Sequence, residues 1–327
     1  MLDEYVSSLT SAQFETALVG ALNLNGATSP QQALVALGAG VRPNLLDNAY
    51  FVGGGTGWGV FPVNQQGLSV YTGQSKGFDR WKTQFTSYAQ LSLLQNGLQI
   101  GFSAGTPTTL QAAVGCAQIL PQWKQALTQG QEFVFSVLAE EVTDYINLLV
   151  VYSQDSTTKY VTKSFTNPSP GLLSVSGKMP ADGTITSVQI YGADIRYGST
   201  TSSYSIISSA KLELGSNQTH AYQDSERSWH RLSQPDMDYG TQLAKCQAFY
   251  EESNENVGSR GVSIRVPPNG IIYVPFKVPK RVIPAITVQG NDASYIQTSY
   301  ITVNGFTAQN SDTVNLRAFD YSATAEL

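Results

Sequence analysis

The sequence predicts a mainly β protein with short N-terminal helices, an antiparallel jelly-roll sandwich, one linking helix and a small C-terminal β domain. Three observations carry this expectation. Between residues 43 and 215, short apolar runs recur, separated by turn chemistry such as Asn96-Gly97, Asn167-Pro168 and Asp182-Gly183. Charged residues are only 13% of the 327-residue chain and hydrophobic ones 41%, so much of the surface must be Ser, Thr, Asn, Gln and Gly. A helical period shows only at the N-terminus and again near 236–252.

Residues 1–43 read as short helices. Thr10 and Gln13 have capping-box spacing, Phe14, Leu18 and Ala21 share one face, and Ser29-Pro30 starts a second helix that Gly38 and Gly40 stop. Helices this short are marginal alone, so they must pack on something, either a partner or the following domain as a cap. Strands are then expected at 84–94, 98–102, 132–139, 145–152, 160–165, 171–176, 187–191 and 204–214, with a loop at 121–130. Many short strands with regular turns favour a jelly roll. After a polar linker at 217–235, Asp236 or Asp238 caps a helix running to about Glu252, with Leu243, Cys246 and Phe249 or Tyr250 on its apolar stripe. Strands return at 261–266, 270–278, 285–289, 300–306 and 314–326. The prolines Pro267, Pro268 and Pro279 mark edges and turns among them.

The net charge of −5 and the lack of a Lys/Arg cluster in the sequence argue against a nucleic-acid binder. No run approaches the ~20 apolar residues of a membrane helix, which argues against membrane insertion. The first thirty residues lack a basic stretch followed by an apolar one, so a soluble protein made without Sec export is expected. Cys116 and Cys246 follow no metal-ligand spacing and read as two buried thiols.

Catalytic chemistry is thin. His220 and His230 fall in the polar linker, where exposure is expected, and no Gly-Xaa-Ser-Xaa-Gly elbow is present. The glycines at 53–59 lack the Gly-Lys-Ser/Thr ending of a phosphate loop. Glu140 and Glu141 are adjacent and read as a turn after a strand ending at Ala139, whereas a glycosidase needs two carboxyls about 5–9 Å apart. Whether Asp79, Asp144, Asp155 and Asp194 meet in space is left open. Binding fits better, because sugar C–H faces stack on aromatic rings and sugar hydroxyls bond to amide and hydroxyl side chains. Candidate carbohydrate-binding residues are Trp58 and Tyr71, in or beside glycine-rich loops, Trp123 on the loop after Pro121, and Tyr191 and Tyr197 beside the Ser/Thr-rich loop at 198–203. Trp81, in an apolar-periodic strand, is expected in the core.

Several blocks carry a family resemblance: Asn44-Leu-Leu-Asp-Asn48, Phe51, Val63-Asn-Gln-Gln-Gly67, Phe78-Asp-Arg-Trp-Lys82, Ala210-Lys-Leu-Glu-Leu-Gly215 and Thr241-Gln-Leu-Ala-Lys-Cys-Gln-Ala-Phe-Tyr250. In this order they resemble bacteriophage tail fibre and receptor-binding proteins. Val278-Pro-Lys-Arg281 and the terminal Ala325-Glu-Leu327 resemble the small C-terminal β domain of such fibres. Gln118 and Phe133-Val-Phe-Ser-Val-Leu138 fit paired central strands of a carbohydrate-binding-module-like jelly roll.

The resemblance implies a helical attachment or trimerisation segment at 1–43, the jelly roll at 44–222, and a linker, helix and C-terminal β domain at 223–327. It also implies a homotrimer in a phage tail, made in the host cytoplasm. Its partners would be other tail or baseplate proteins and a bacterial surface glycan. A structural Ca²⁺ on Asp47, Asn48 and Glu213 is implied, with ordinary turn hydrogen bonding as the alternative; no other cofactor is expected. A purely structural virion component and a polysaccharide depolymerase stand as the other readings.

Overall fold

The computed structural model describes residues 41–52, 70–72, 77–78, 80–84, 89–102, 113–194, 203–224, 226–232, 239–253 and 264–325. The helices expected before residue 41, and Trp58 and Tyr197, lie outside them.

Among the described residues, two six-stranded sheets form the main body. The first runs β1 (Val70–Thr72), β4 (Ala89–Leu94), β5 (Gly97–Phe102), β12 (Tyr204–Leu214), β7 (Glu132–Val142) and β10 (Gly171–Lys178). The second runs β2 (Gly77–Phe78), β3 (Trp81–Gln84), β6 (Ala113–Ile119), β11 (Thr184–Asp194), β8 (Tyr145–Gln154) and β9 (Thr157–Thr166). Pairing is antiparallel, and apart from the β2–β3, β4–β5 and β8–β9 hairpins successive strands change sheet, as a jelly-roll sandwich requires. Inward residues such as Leu91, Leu98, Ile100, Phe133, Phe135, Val150, Ile190 and Leu212 fill the space between the sheets. Trp81 is core, as expected: its ring meets Phe51 edge-on at 5.4 Å and its Nε1 donates to the Asn48 carbonyl at 3.0 Å.

The Asn44 segment is a strap along β12. Leu45 N donates to Leu212 O at 2.8 Å, Ala210 N to Ala49 O at 2.8 Å and Phe51 N to Ser208 O at 2.9 Å. Asn44 reinforces it: Nδ2 donates to Ala210 O at 2.9 Å while Oδ1 accepts from Leu46 N and Leu212 N, both at 3.0 Å.

Several expected elements differ. The span 121–130 holds a helix, α1 (Gln122–Thr128), capped by Pro121, whose carbonyl accepts from Lys124 N and Gln125 N. The expected strand over 84–94 is instead β3 and β4, which belong to different sheets, with 85–88 outside the described residues. β7 continues through Glu140 and Glu141 to Val142, so those carboxylates lie on a strand. The 217–235 linker contains a hairpin, β13 (Ala221–Gln223) with β14 (Trp229–Arg231). Both described cysteines are buried thiols.

The second helix, α2 (Tyr239–Gln247), is shorter than expected, because the chain turns at Ala248–Phe249 into β15 (Tyr250–Glu252). β15 and β16 (Ile264–Val266) pair with β21 (Arg317–Thr324), and β18 (Ala285–Gln289) also joins β21. A second sheet orders β17 (Ile271–Pro275), β20 (Gly305–Asn310) and β19 (Ile296–Ser299), so the 300–306 region holds a turn between two strands. This C-terminal β unit has its own core of Val266, Val274, Phe276, Phe306, Phe319 and Tyr321. Within it Glu251 and Lys280 form a fully buried ion pair at 2.6 Å, and the Tyr321 hydroxyl donates to Glu251 Oε1 at 2.6 Å. Burial lowers the Lys280 pKa and raises that of Tyr321.

Candidate functional site

Helix α1 sorts its side chains sharply. Lys124 and Thr128 turn inward, whereas Trp123 stands 51% exposed. Thr128 Oγ1 accepts from Ile185 N at 2.8 Å, which ties the helix end to β11. Lys124 Nζ donates to the Leu45 carbonyl and to Asp47 Oδ1, each at 2.6 Å. Asp47 also faces Arg80 at 3.5 Å, and Gln118 grips its backbone from both sides: Asp47 N donates to Oε1 and Gln118 Nε2 donates to Asp47 O, both at 2.7 Å. Trp123 therefore rides on a helix anchored to the sandwich and to the strap.

Around Trp123, cations and rings alternate. The Arg80 guanidinium lies 3.5 Å above the Phe249 ring, and Arg281 lies 5.2 Å from Phe249 and 5.4 Å from Trp123. Lys124 Nζ is 5.5 Å from Trp123. This cluster joins the sandwich to α2 and to the C-terminal unit, where Arg281 N donates to the Ala248 carbonyl at 3.1 Å.

Two concavities meet here. A cleft of about 700 Å³ is lined by Arg42, Lys124, Lys211, Arg231, Lys245 and Arg281, with Asp47 as its carboxylate and Tyr50, Trp123 and Phe249 as its rings. A smaller one of about 320 Å³ includes Arg80, Lys82 and Gln122, and shares Trp123, Phe249 and Arg281 with the first. Lys211 Nζ donates to Thr219 O and Oγ1, both at 2.8 Å, and pairs with the buried Glu213 at 3.3 Å. Burial lowers the pKa of Lys124 and Lys211, and the carboxylates Asp47 and Glu213 oppose that shift.

His220 also borders the large cleft but is buried, against the expectation of an exposed linker histidine. Its Nδ1 meets Ser136 Oγ at 2.9 Å and its Nε2 meets Ser209 Oγ at 2.8 Å, which stitches the hairpin to the outer face of the first sheet. Burial, with Lys211 and Arg231 nearby, lowers its pKa to about 3. A base this weak is a structural hydrogen-bonding group. The unfolded chain takes up a proton near pH 6.5 and the folded one does not until about pH 3, so His220 costs stability as pH falls through that window. The expected slope is about 1.4 kcal/mol per pH unit at most. Melting at pH 7.0, 6.0 and 5.0 should show a loss in the wild type that His220→Gln reduces; equal pH dependence in both would contradict the buried neutral ring. His230 is exposed as expected and meets Asp224 at 2.6 Å.

The structure separates the remaining predicted residues. Trp123 lines both concavities. Tyr191 lies on β11, paired with Gly115 and Asn147, and its hydroxyl donates to Gln189 Oε1 at 2.8 Å; it is not among the cleft residues. Tyr71 lies on edge strand β1 opposite Leu91. The carboxylates expected to hold calcium make other partners. Asp47 is engaged by Lys124 and Arg80, and Glu213 by Lys211 and by Thr219, whose N donates at 2.6 Å. No cluster of three His, Cys, Asp or Glu suited to a metal exists among the described residues. Sequence reading missed Arg42, Arg231 and Arg281, because nothing in their local sequence marks residues so far apart as neighbours.

No protein-family model matches the chain, and no curated protein matches it either. Solved structures similar to part of it are carbohydrate-binding modules. A xylan-binding domain of family 22 is 17% identical at a TM-score of 0.29, covering 44% of this chain and 92% of that one. The family 29 module from Piromyces equi is 11% identical at 0.28, covering 45% and 91%. A Clostridium thermocellum xylanase structure with family 22 and catalytic modules, complexed with xylohexaose, is 16% identical at 0.31; the match covers 47% of this chain but only 30% of that one. The ligands named there belong to those proteins.

Proposed function

We propose that this chain is a receptor-binding component of a bacterial virus tail that recognises a glycan on the host surface, with Trp123 as its stacking platform. The observation that carries the reading is a half-exposed indole on an anchored helix at the junction of two concavities. A sugar can stack on such a ring while neighbouring guanidinium and amide groups bond its hydroxyls. Attachment to a tail, with host recognition as its purpose, rests on the motif resemblance. The chain would bind without cleaving, and a trimer would raise weak single-site affinity by about 10² to 10⁴ where geometry allows several sites to engage.

A glycan array and whole-cell adsorption test this, with Trp123→Ala as the variant. Binding should fall at least ~10-fold, or about 1.4 kcal/mol, while an exposed substitution leaves stability within about 0.5 kcal/mol. Undiminished binding would remove Trp123 from the site, and released oligosaccharides would favour a depolymerase. A purely structural virion role is the second reading. It is favoured by the exposed apolar side chains Ile271, Tyr273, Ile283, Tyr300, Val314 and Leu316 of the C-terminal unit, where copies of the chain or other tail and baseplate proteins could meet.

A further inference from the structure

We infer that the large cleft takes a negatively charged glycan, one whose sugars carry carboxylate or phosphate groups, gripped by Arg231 and Arg281 beside Trp123. This rests on the glycan-binding reading above and names the class of sugar.

Charge distribution is the first argument. The chain is net acidic, yet among the described residues six Lys and Arg side chains line this one cleft, against one lining carboxylate, Asp47. Asp47 and Glu213 are committed to Lys124 and Lys211. Arg42, Arg231 and Arg281 have no carboxylate within ion-pair distance among the described residues. Like charges gathered in a concave, partly desolvated space repel one another, and an anion relieves that repulsion where a neutral sugar does not.

Arg231 supplies the second argument. Its guanidinium carbon lies 4.3 Å over the Tyr50 ring and its Nη2 donates to the Tyr50 hydroxyl at 3.0 Å, so the group is held in place. Its Nη1 is buried with no hydrogen-bond partner. On a cleft lining, a carboxylate or phosphate oxygen is the acceptor a guanidinium fits best. Arg281, exposed and resting against Trp123 and Phe249, places a second fork next to the stacking surface. A nucleic acid is the rival polyanion. It is disfavoured because the cations line a pocket instead of a stripe that could track a phosphate backbone, and the rest of the chain is net negative.

The test uses the full chain and two matched pairs: polygalacturonate with its methyl ester, and phosphomannan with dephosphorylated mannan, plus a single-stranded oligonucleotide. At least one charged polymer should bind ten-fold or more tightly than its neutral partner, and binding should weaken as salt rises. Which pair shows the difference assigns carboxylate or phosphate. Arg281→Gln, at an exposed position, should lower charged-polymer binding several-fold, and Arg231→Gln with Arg281→Gln at least ten-fold. Equal binding of charged and neutral partners, still lost in Trp123→Ala, would overturn the acidic class and leave the glycan reading standing. Charged-polymer binding unmoved by the arginine variants, no binding to any of the four glycans, or tighter binding of the oligonucleotide would each overturn the inference.

Discussion

Glu251→Ala is expected to destabilise the C-terminal β unit by about 3–5 kcal/mol, enough to lower its melting temperature by more than ~10 °C. Both members of the Glu251–Lys280 pair are fully buried, and Glu251 also accepts from Tyr321 Oη at 2.6 Å and from Lys277 N at 3.1 Å. Removing the carboxylate strands an ammonium and a phenol in the core. Lys280 keeps the Gln247 carbonyl as an acceptor, which does not neutralise its charge. The double change Glu251→Leu with Lys280→Met should restore much of the loss, because replacing a buried pair by apolar groups is often neutral or stabilising. A Glu251→Ala protein that melts within about 2 °C of wild type would show that the pair is hydrated in solution.

Trp81→Ala should cost the sandwich about 3–5 kcal/mol, through the cavity it leaves and the Asn48 carbonyl it deprives of a donor. On the proposed reading, the effect should reach the glycan site. Trp81 holds Phe51 and Asn48, Asp47 directly precedes Asn48 on the same strap, and Asp47 fixes Lys124 on α1. Glycan affinity should therefore fall in Trp81→Ala even at temperatures where the protein remains folded. Trp81→Phe, which fills most of the space but lacks the N–H, should lose only about 1–2 kcal/mol. Calorimetry on both variants, paired with binding at 15 °C, separates the packing contribution from the hydrogen bond; unchanged affinity in folded Trp81→Ala would cut the link from core to site.

The candidate site was legible in one residue. Trp123, a candidate on the loop after Pro121, lines both concavities. The helix that carries it was not legible: seven residues are too few for a helical period to separate from a loop. Asp47 and Glu213 drew attention as carboxylates, but their partners Lys124 and Lys211 differ in kind. Lys211 is two residues from Glu213 on one strand, so the two share a face, while Lys124 reaches Asp47 from another element.

By itself, the sequence determined the β class, the strands 204–214 and 285–289 to the residue, the core position of Trp81 and the buried thiols, because alternation, turn residues and β-branching act over a few neighbouring positions. Only the tertiary structure decided that His220 is a buried stitch between two serines and that the carboxylates proposed for calcium face lysines. It alone brought Arg42, Arg231 and Arg281 to the lining of one cleft. Pairing between distant strands and the desolvation of charges depend on which segments meet in space, and local pattern carries no record of that.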